Sequence, residues 1–433
     1  MSPSAAVARE CHGCGLWQVV PGLEPGTRAR CGRCGTTLRV HGSDTAAGMI
    51  DRGIALAGAA LILLAITVST TLMTVSAGGS THLADLLAGP RELMLRGMPS
   101  LAAAVIFTSM IAPFLKLLGT LYVLLLLKLP SPPRHVRRVF VFVRRLSPWS
   151  MSEVLLLGAF VGYVKLQALV TIRAGPALIS LLALAFALFW LDATLDPQVV
   201  WNRLQSESDD VPASLRARGA TALACDDCRL VSVAATQGRA HCPRCGSVLH
   251  PRKPDSIART WALVIAAAVM YVPANYYPVL TVVQTGNGAP STIIGGVVEL
   301  IDAHQWPLAG LVFLASIAIP LLKLLGLAAM LICTQAGLAG WLRERTLLFA
   351  VIRFIGRWSM IDIFMESLLG ALVQFGGLVT IQPGIGAVAF CAVVFLTMFA
   401  AETFDPRIMW DAAAAPSPAA RIPALDDAGG APP

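Results

Sequence analysis

The chain has 433 residues, of which 56% are hydrophobic and only 13% are charged. Soluble domains contain about 25% charged residues, so this composition excludes an ordinary soluble protein and indicates a membrane protein. The formal net charge of +8 does not require nucleic acid as a partner, because the basic residues concentrate in short loops beside apolar segments. That distribution is typical of membrane topology.

The chain begins with a cysteine cluster. Its two Cys-x2-Cys pairs are formed by Cys11, Cys14, Cys31 and Cys34. Thiolates at this spacing reach one ion from a tight turn, and two such turns complete a tetrahedral shell of four sulfurs. Gly15 and Gly35 follow these turns and permit the positive φ that lets backbone N–H groups approach the sulfurs. We predict a small zinc ribbon, with the metal in a structural role because no open coordination position is evident.

A block of apolar segments follows the cluster, and the same arrangement then occurs again. The second cluster consists of Cys225, Cys228, Cys242 and Cys245. A membrane-spanning helix needs about 20 mostly apolar residues. Eight segments meet this length, namely 54–76, 98–127, 151–172, 177–195, 261–283, 306–333, 360–381 and 385–403. Gly and Pro at 173–176 and 382–384 predict tight helical-hairpin turns between the last two segments of each block.

The two blocks share short sequences in the same order. Pro-Phe-Leu-Lys-Leu-Leu-Gly at 113–119 matches Pro-Leu-Leu-Lys-Leu-Leu-Gly at 320–326, Trp-Ser-Met recurs at 149 and 358, and Asp-Pro recurs at 196 and 405. We therefore predict an all-α polytopic membrane protein made of two parallel repeats of four transmembrane helices, each preceded by a zinc ribbon. The expected domains are ribbon 1 (1–45), module 1 (46–205), ribbon 2 (215–252), module 2 (253–411) and a disordered tail (412–433).

The orientation follows from the basic residues between segments. The loop at 128–145 has six of them, and its counterpart has Arg343, Arg345, Arg353 and Arg357. The opposite side has only Arg91, Arg96 and Arg173. We expect both termini and both ribbons on the cytoplasmic side of the membrane.

Each block also places polar side chains inside the bilayer, where they are costly and often functional. The second segment repeats Ser-x3-Pro-x2-Lys, in which the proline removes a hydrogen bond to the serine carbonyl and predicts a kink. An acid follows in the third segment, and we expect it to pair with the lysine of its own block. Asp192 and Glu402, near helix ends, are expected to have no special role. The candidate residues are Ser316, Lys323, Ser359, Asp362, Thr397, Lys116 and Glu153.

Two interpretations of these residues remain open: structural packing of each bundle, or a site that handles protons, ions or lipid. Glu366 and Thr397 in the second block correspond to Leu157 and Leu188 in the first. If only one block has an active polar site, we expect it to be the second.

Several sequence words together resemble a known family. They are Pro-Ala-Asn at 273–275, Thr-Ile-Ile-Gly-Gly-Val at 292–297, Trp-Pro-Leu-Ala at 306–309, Pro-x2-Lys at 320–323 and Trp-Ser-Met-x-Asp at 358–362. With the order of ribbon and four segments, repeated once, they look like the paraquat-inducible protein A and lipophilic envelope-spanning tunnel protein A family. The resemblance covers nearly the whole chain and is strongest in the second half.

The resemblance implies a multi-pass inner-membrane protein with zinc in both ribbons. It also implies a role in intermembrane lipid transport and envelope integrity, with a periplasmic MCE-domain protein and phospholipids as partners. We expect a protein that is not an enzyme, and the lack of a Walker A loop in the sequence argues against ATP hydrolysis by this chain. Nucleic acid is not an expected partner. The alternatives are a secondary transporter or channel for a small solute or ion, and a redox-active membrane protein that uses its cysteines.

Overall fold

The protein is described by a computed structural model that covers residues 7–21, 23, 26–40, 46–77, 80–167, 171–204, 221–234, 241–284, 287–372, 374–375 and 379–414. The predicted disordered tail therefore lies outside the described residues except for its first three positions. Two of these, at 412 and 413, belong to a final helix.

Two small ribbons contain the cysteines. In the first, β1 (Val7–Glu10) pairs with β2 (Trp17–Val20), and β3 (Arg28–Arg30) pairs with β4 (Thr37–Val40). In the second, β8 (Thr221–Ala224) pairs with β9 (Val231–Ala234), and a single bridge joins His241 to Val248. Strands this short have little core of their own, so a bound metal is the expected source of their stability.

The first half of the remaining chain contains eight helices. They are α1 (Ala46–Ser69), α2 (Ala88–Leu95), α3 (Pro99–Ile106), α4 (Ala112–Leu126), α5 (His135–Leu146), α6 (Ser152–Gln167), α7 (Pro176–Thr194) and α8 (Pro197–Leu204). The second half repeats this order. Its helices are α9 (Ser256–Tyr276), α10 (Ile293–Asp302), α11 (Trp306–Phe313), α12 (Ile319–Gln335), α13 (Leu342–Ile355), α14 (Ile361–Leu372), α15 (Ile385–Thr403) and α16 (Arg407–Ala413).

Short sheets lie where the sequence predicted loops and tight turns. Strands β5 (Met73–Ala77), β6 (Ser80–Ala84) and β7 (Thr171–Ala174) form a sheet of order β6-β5-β7. The second half has β10 (Leu280–Gln284), β11 (Asn287–Ser291), β12 (Gln374–Phe375) and β13 (Val379–Pro383), in the order β11-β10-β13-β12. We call this end of the molecule the sheet end, and the end with the cysteines the ribbon end. The prediction of an all-α fold was therefore wrong in this respect.

The sheets also shorten two predicted helices. Helices α6 and α14 end at Gln167 and Leu372, and Thr171 and Ile172 of the first half and Val379–Pro383 of the second belong to strands rather than to helix. β-Branched residues favour strands when a partner strand is available. Within the described residues, six helical stretches are long and apolar enough to span a membrane, rather than the eight predicted. They are Ala46–Ser69, Pro99–Leu126, Pro176–Thr194, Ser256–Tyr276, Trp306–Gln335 and Ile385–Thr403.

The predicted proline kinks take the form of π-helical turns. Residues Phe107–Ile111 join α3 to α4, and Leu314–Ala318 join α11 to α12. In each turn an N–H five residues on bonds to the first carbonyl, as Ile319 N does to Leu314 O. The prolines at 113 and 320 cannot donate an N–H, and a π turn absorbs the missing helical bond without ending the helix.

The halves meet through α6 and α14. A Cβ added at Gly158 of α6 would lie 2.9 Å from Phe364 Cβ and 3.2 Å from the Ile361 carbonyl. Glycine therefore sets how closely these helices approach. On the same interface Trp149 stacks on Phe395 of α15, with ring centroids 5.7 Å apart.

At the ribbon end each ribbon packs on the half that it does not directly precede. Ribbon 1 shares an apolar cluster with Phe349, Met409 and Trp410 of the second half. Ribbon 2 shares another with Phe140 and Trp201 of the first half. The ribbons therefore cross between the halves, an arrangement that the order of segments in the sequence did not indicate.

Candidate functional site

The cysteines of each ribbon converge on one point. In ribbon 1 the sulfurs of Cys11 and Cys34, and of Cys14 and Cys31, are 3.5 Å apart. In ribbon 2 the corresponding distances are 3.5 and 3.4 Å. All eight are free, buried thiols, and the four sulfurs of each group lie within 4.8 Å of one another. Zinc bound tetrahedrally at about 2.3 Å needs sulfurs separated by about 3.8 Å, so both sets fit a metal ion.

The turns around the cysteines use left-handed backbone as predicted. Gly15, Gly35 and Gly246 have φ of 71°, 75° and 77°. At the fourth turn Arg229 takes the same conformation, with φ of 58°, although it has a Cβ. In every turn this residue's N–H bonds to the carbonyl of the first cysteine, as Arg229 N does to Cys225 O at 2.9 Å. Because Arg229 adopts a positive φ although it has a Cβ, the metal-binding turn requires this backbone conformation, and glycine only makes it easier to adopt.

A buried arginine joins the two ribbons. Arg407, at the start of α16, forms ion pairs with Asp405 at 2.9 Å, with Asp226 of ribbon 2 at 3.0 Å and with Glu10 of ribbon 1 at 3.5 Å. Arg252 adds a second pair to Glu10 at 3.0 Å. We call these five residues the arginine node. It was not foreseen from the sequence, because its members are distant in the chain.

The lysine of the first half does not pair with the expected acid. Lys116 is buried, and its ammonium bonds to Asp192 of α7 at 2.7 Å. The prediction that Lys116 pairs with Glu153 was wrong, as was the expectation that Asp192 has no special role. Both acids lie near the ribbon end of their helices, Glu153 at the start of α6 and Asp192 near the end of α7, so depth alone does not distinguish them.

The lysine of the second half is in a different environment. Lys323 is 2% exposed, and its ammonium lies 3.4 Å from the Ser359 hydroxyl. In the described part of the chain no carboxylate lies within ion-pair distance of it. The position that corresponds to Asp192 is Ala401 in the second half, by the register of the repeated Asp-Pro word. The structure thus places Lys323 beside Ser359, another of the candidate residues, and does not show the expected ion pair of Lys323 with Asp362.

The second half has a small, partly open cleft of about 40 Å³ between α10, α14 and the π turn Leu314–Ala318. Its walls are mainly apolar, and its polar lining comes from Ser316 of the π turn, from Asp362 and Glu366 of α14, and from Ser291 and Thr292 before α10. Asp362 and Glu366 are four residues apart and share one face of α14. Ser359 lies just before this helix, in the 3-10 turn Gly356–Met360. The three residues form a polar stripe from the cleft to Lys323.

The remaining candidates lie apart from the cleft lining. Thr397 of α15 is fully buried and donates its hydroxyl to the Val394 carbonyl at 3.0 Å. Its helix packs on the 3-10 turn Gly356–Met360 that contains Ser359. Glu153 begins α6 in the first half. Glu366, which the comparison of halves had noted, belongs to the cleft.

The short helices of the two halves pack differently. Helix α2 of the first half packs on α14, and a Cβ added at Gly89 would lie 2.3 Å from Ser367 Oγ. The matching helix α10 packs on α11 and β11.

The whole sequence was compared with known proteins. A family model described as paraquat-inducible protein A matches residues 50–205 and 257–414. "Intermembrane transport protein PqiA" of Escherichia coli (strain K12) is 32% identical over 408 residues, which cover 93% of this chain and 95% of the relative.

Two more distant relatives extend over similar lengths. "Lipophilic envelope-spanning tunnel protein A" of the same strain is 28% identical, over 93% of this chain and 91% of the relative. "Probable intermembrane transport protein" of Haemophilus influenzae is 26% identical, over 93% and 95%. No solved structure matches the chain. The match to the family model and the similarity to full-length relatives show that the chain belongs to the paraquat-inducible protein A family.

Proposed function

We propose that this protein is a non-enzymatic inner-membrane subunit of an intermembrane lipid transport system. It passes phospholipid between the bilayer and a periplasmic MCE-domain protein, and so maintains the envelope. The ribbon end faces the cytoplasm, where the basic loops lie, and the sheet end faces the partner. Each ribbon holds one structural zinc ion, which supplies a cross-link that the short strands lack.

The cleft is the observation on which this proposal depends. A phospholipid needs apolar walls for its chains and polar groups for its headgroup, and the cleft has both. Its acids on α14 are followed by Ser359, in the 3-10 turn before that helix, and Ser359 contacts Lys323. The names of the relatives, which refer to intermembrane transport and to an envelope-spanning tunnel, support the same class of activity.

In this proposal Ser316, Ser359 and Asp362 contact or orient the headgroup, and Lys323 couples a change of protonation to lipid movement. Thr397 packs behind Ser359. Lys116 and Glu153 keep structural roles, because the ion pair of Lys116 with Asp192 already compensates its charge. A small-solute or ion transporter would use the same polar stripe, whereas a redox-active protein would use the cysteines.

The test replaces Lys323→Met and Asp362→Asn separately in cells that depend on this protein for envelope integrity. We expect each variant to lose protection against detergents, and to retain two zinc ions per chain, the number that the two cysteine groups predict. Lys128→Met is the matched control, because that lysine is exposed and lies outside the stripe.

If both variants fold, co-purify with an MCE-domain protein and still protect the envelope, the coupling role is wrong. Transport of a labelled ion or solute without lipid would favour the first alternative. Iron, or much less than two zinc ions, would favour the redox alternative over structural zinc.

A further inference from the structure

The cleft of the second half has opposite electrostatic character at its two sides. Asp362 and Glu366 lie one turn apart on α14 and are 7% and 5% exposed. On the other side Thr292, Ile293 and Gly296 of the first turn of α10 line the cleft. The first N–H groups of a helix have no acceptor within it, and they give its N-terminus a positive potential. The cleft therefore presents carboxylates on one side and backbone donors on the other.

A buried hydroxyl gives independent evidence for a ligand. The Ser316 side chain is 2% exposed and lines the cleft, and its Oγ has no hydrogen-bond partner among the described residues. A buried polar atom without a partner is costly, so native structures usually supply one. A polar group of a molecule bound in the cleft would supply it here.

The first residues of α10 lie at the edge of the cleft. Thr292 caps the helix by accepting a hydrogen bond from Gly295 N at 3.1 Å. At Gly295 a Cβ would lie 3.3 Å from Thr292 Oγ1, and at Gly296 it would lie 3.8 Å from Ser291 Oγ. Gly296 lines the cleft, and the absence of a side chain there lets an anion approach the backbone, as at phosphate-binding helix termini.

We propose that the cleft selects a zwitterionic phospholipid whose headgroup has a primary ammonium. The ammonium contacts Asp362 and Glu366, the phosphate lies at the first turn of α10, and Ser316 donates to a headgroup oxygen. This inference rests on the proposed function, because it specifies the lipid class for the same cleft. A headgroup without an amine brings no cation to the carboxylates, and a quaternary amine brings a cation that cannot donate hydrogen bonds to them.

The first half lacks this combination. Leu157 occupies the place of Glu366, and Ala84 and Asp85 occupy the places of Ser291 and Thr292. Its short helix α2 is packed on α14 at Gly89. The selectivity is therefore a property of the second half.

The experiment measures binding of short-chain lipids to the purified full-length protein, by competition with a fluorescent phospholipid. The probes are dihexanoyl phosphatidylethanolamine, its N-acetyl derivative, phosphatidylcholine and phosphatidylglycerol. We expect phosphatidylethanolamine to bind about tenfold more tightly than its N-acetyl form, which keeps the phosphate and loses the cation. Glu366→Gln should weaken the binding of phosphatidylethanolamine about tenfold and leave the binding of the other three lipids unchanged. Glu299→Gln, an exposed carboxylate on α10, should leave all affinities unchanged.

The affinities of the four lipids for the unmodified protein test the proposed selectivity even if a variant misfolds. Equal affinity for the amine lipid and its N-acetyl form, or tighter binding of phosphatidylglycerol, overturns the selectivity but leaves lipid binding intact. An equal loss for all lipids in Glu366→Gln also contradicts a contact with the ammonium. Absence of binding by every probe overturns the proposed function itself.

Discussion

Two equivalent lysines have acquired different partners. Lys116 and Lys323 occupy the same place in their halves, and both are buried. A carboxylate from α7 compensates the first, at 2.7 Å. The second has a serine hydroxyl at 3.4 Å and an alanine where its acid would be. A neutral hydroxyl compensates a buried charge less than a carboxylate does, so the second lysine is better suited to a change of protonation.

The variant Asp192→Ala tests the structural role of the first pair. It leaves the Lys116 ammonium buried without its acid, and we expect the free energy of unfolding to fall by about 1 kcal/mol, because Asp192 is half exposed and water screens the pair. Adding Lys116→Met should restore most of this loss. Thermal unfolding of the purified single and double variants measures the coupling. Asp51→Ala, which removes an exposed pair with Lys128, is the control, and additive effects of the first two changes would contradict the assignment.

At the scale of elements, the repeated Asp-Pro word begins the last short helix of each half. Asp196 accepts a hydrogen bond from Gln198 N at 2.8 Å, and Asp405 accepts one from Arg407 N at 3.1 Å. Both carboxylates satisfy a backbone N–H in the first turn of the helix that follows. In the second half the same aspartate also accepts from the Lys253 N–H and pairs with the Arg407 side chain. A local hydrogen bond thereby becomes part of the arginine node.

Arg407→Gln should destabilise the ribbon end strongly. It removes one partner of a buried network and leaves Asp405 and Glu10 buried, so we expect a loss of about 3 kcal/mol in unfolding free energy. Thermal unfolding and zinc release to a chelator would measure it. Arg259→Gln, whose pair with Asp255 is exposed, should change stability by less than about 0.5 kcal/mol. Similar effects of the two variants would show that the node contributes little.

The arginine node also predicts that the stability of the fold depends on pH. Burial raises the pKa of Asp405, but hydrogen bonds and charge from Arg407 and the Lys253 N–H outweigh it and hold that pKa below its ordinary value of 3.8. A carboxyl group with a lowered pKa stabilises the fold above its unfolded value and loses that contribution as the pH falls. The stability difference between the native protein and Asp405→Asn should therefore be full at pH 7 and shrink below about pH 4. A difference that grows on acidification would contradict the ion pair.

At the scale of the whole molecule, the ribbons connect the two halves. Ribbon 1 contacts the second half, where the Arg33 guanidinium lies 4.3 Å from the centroid of a Trp410 ring. Ribbon 2 contacts the first half, where Arg145 of α5 pairs with Asp227 at 2.7 Å. Both meet at Arg407. Loss of either metal is therefore expected to affect the half across from the ribbon rather than only the ribbon itself.

Hydrogen exchange can test this crossed arrangement. Cys14→Ser should accelerate exchange about tenfold or more in α13 and α16, and Cys228→Ser should do so in α5 and α8, because local opening follows the loss of packing. Cys333→Ser, a cysteine outside both clusters, should change neither pair of helices. Acceleration confined to the ribbons, or the opposite assignment of halves, would contradict the crossing.

The sequence by itself determined what local chemistry dictates. Two Cys-x2-Cys pairs at each cluster specify a four-sulfur metal site, and long apolar segments specify membrane helices, because both signals lie within a short stretch of chain. The repeated short sequences align the two halves, and this alignment identified Lys323, Ser359 and the acids on α14 as candidate residues. The sequence could not predict where α6 and α14 end, since β5 and β10 supply the partner strands that make β7 and β13 extended.

Only the tertiary structure decided which groups meet. Lys116 pairs with Asp192, 76 residues away, and Arg407 joins Glu10 and Asp226 from two ribbons. Such contacts depend on how helices return and pack, and no local pattern specifies them. The two halves also differ because their helices pack differently. Gly89 lets α2 of the first half pack closely on α14, whereas α10 packs on α11 and β11 and borders a cleft with Ser316, Asp362 and Glu366 in its wall.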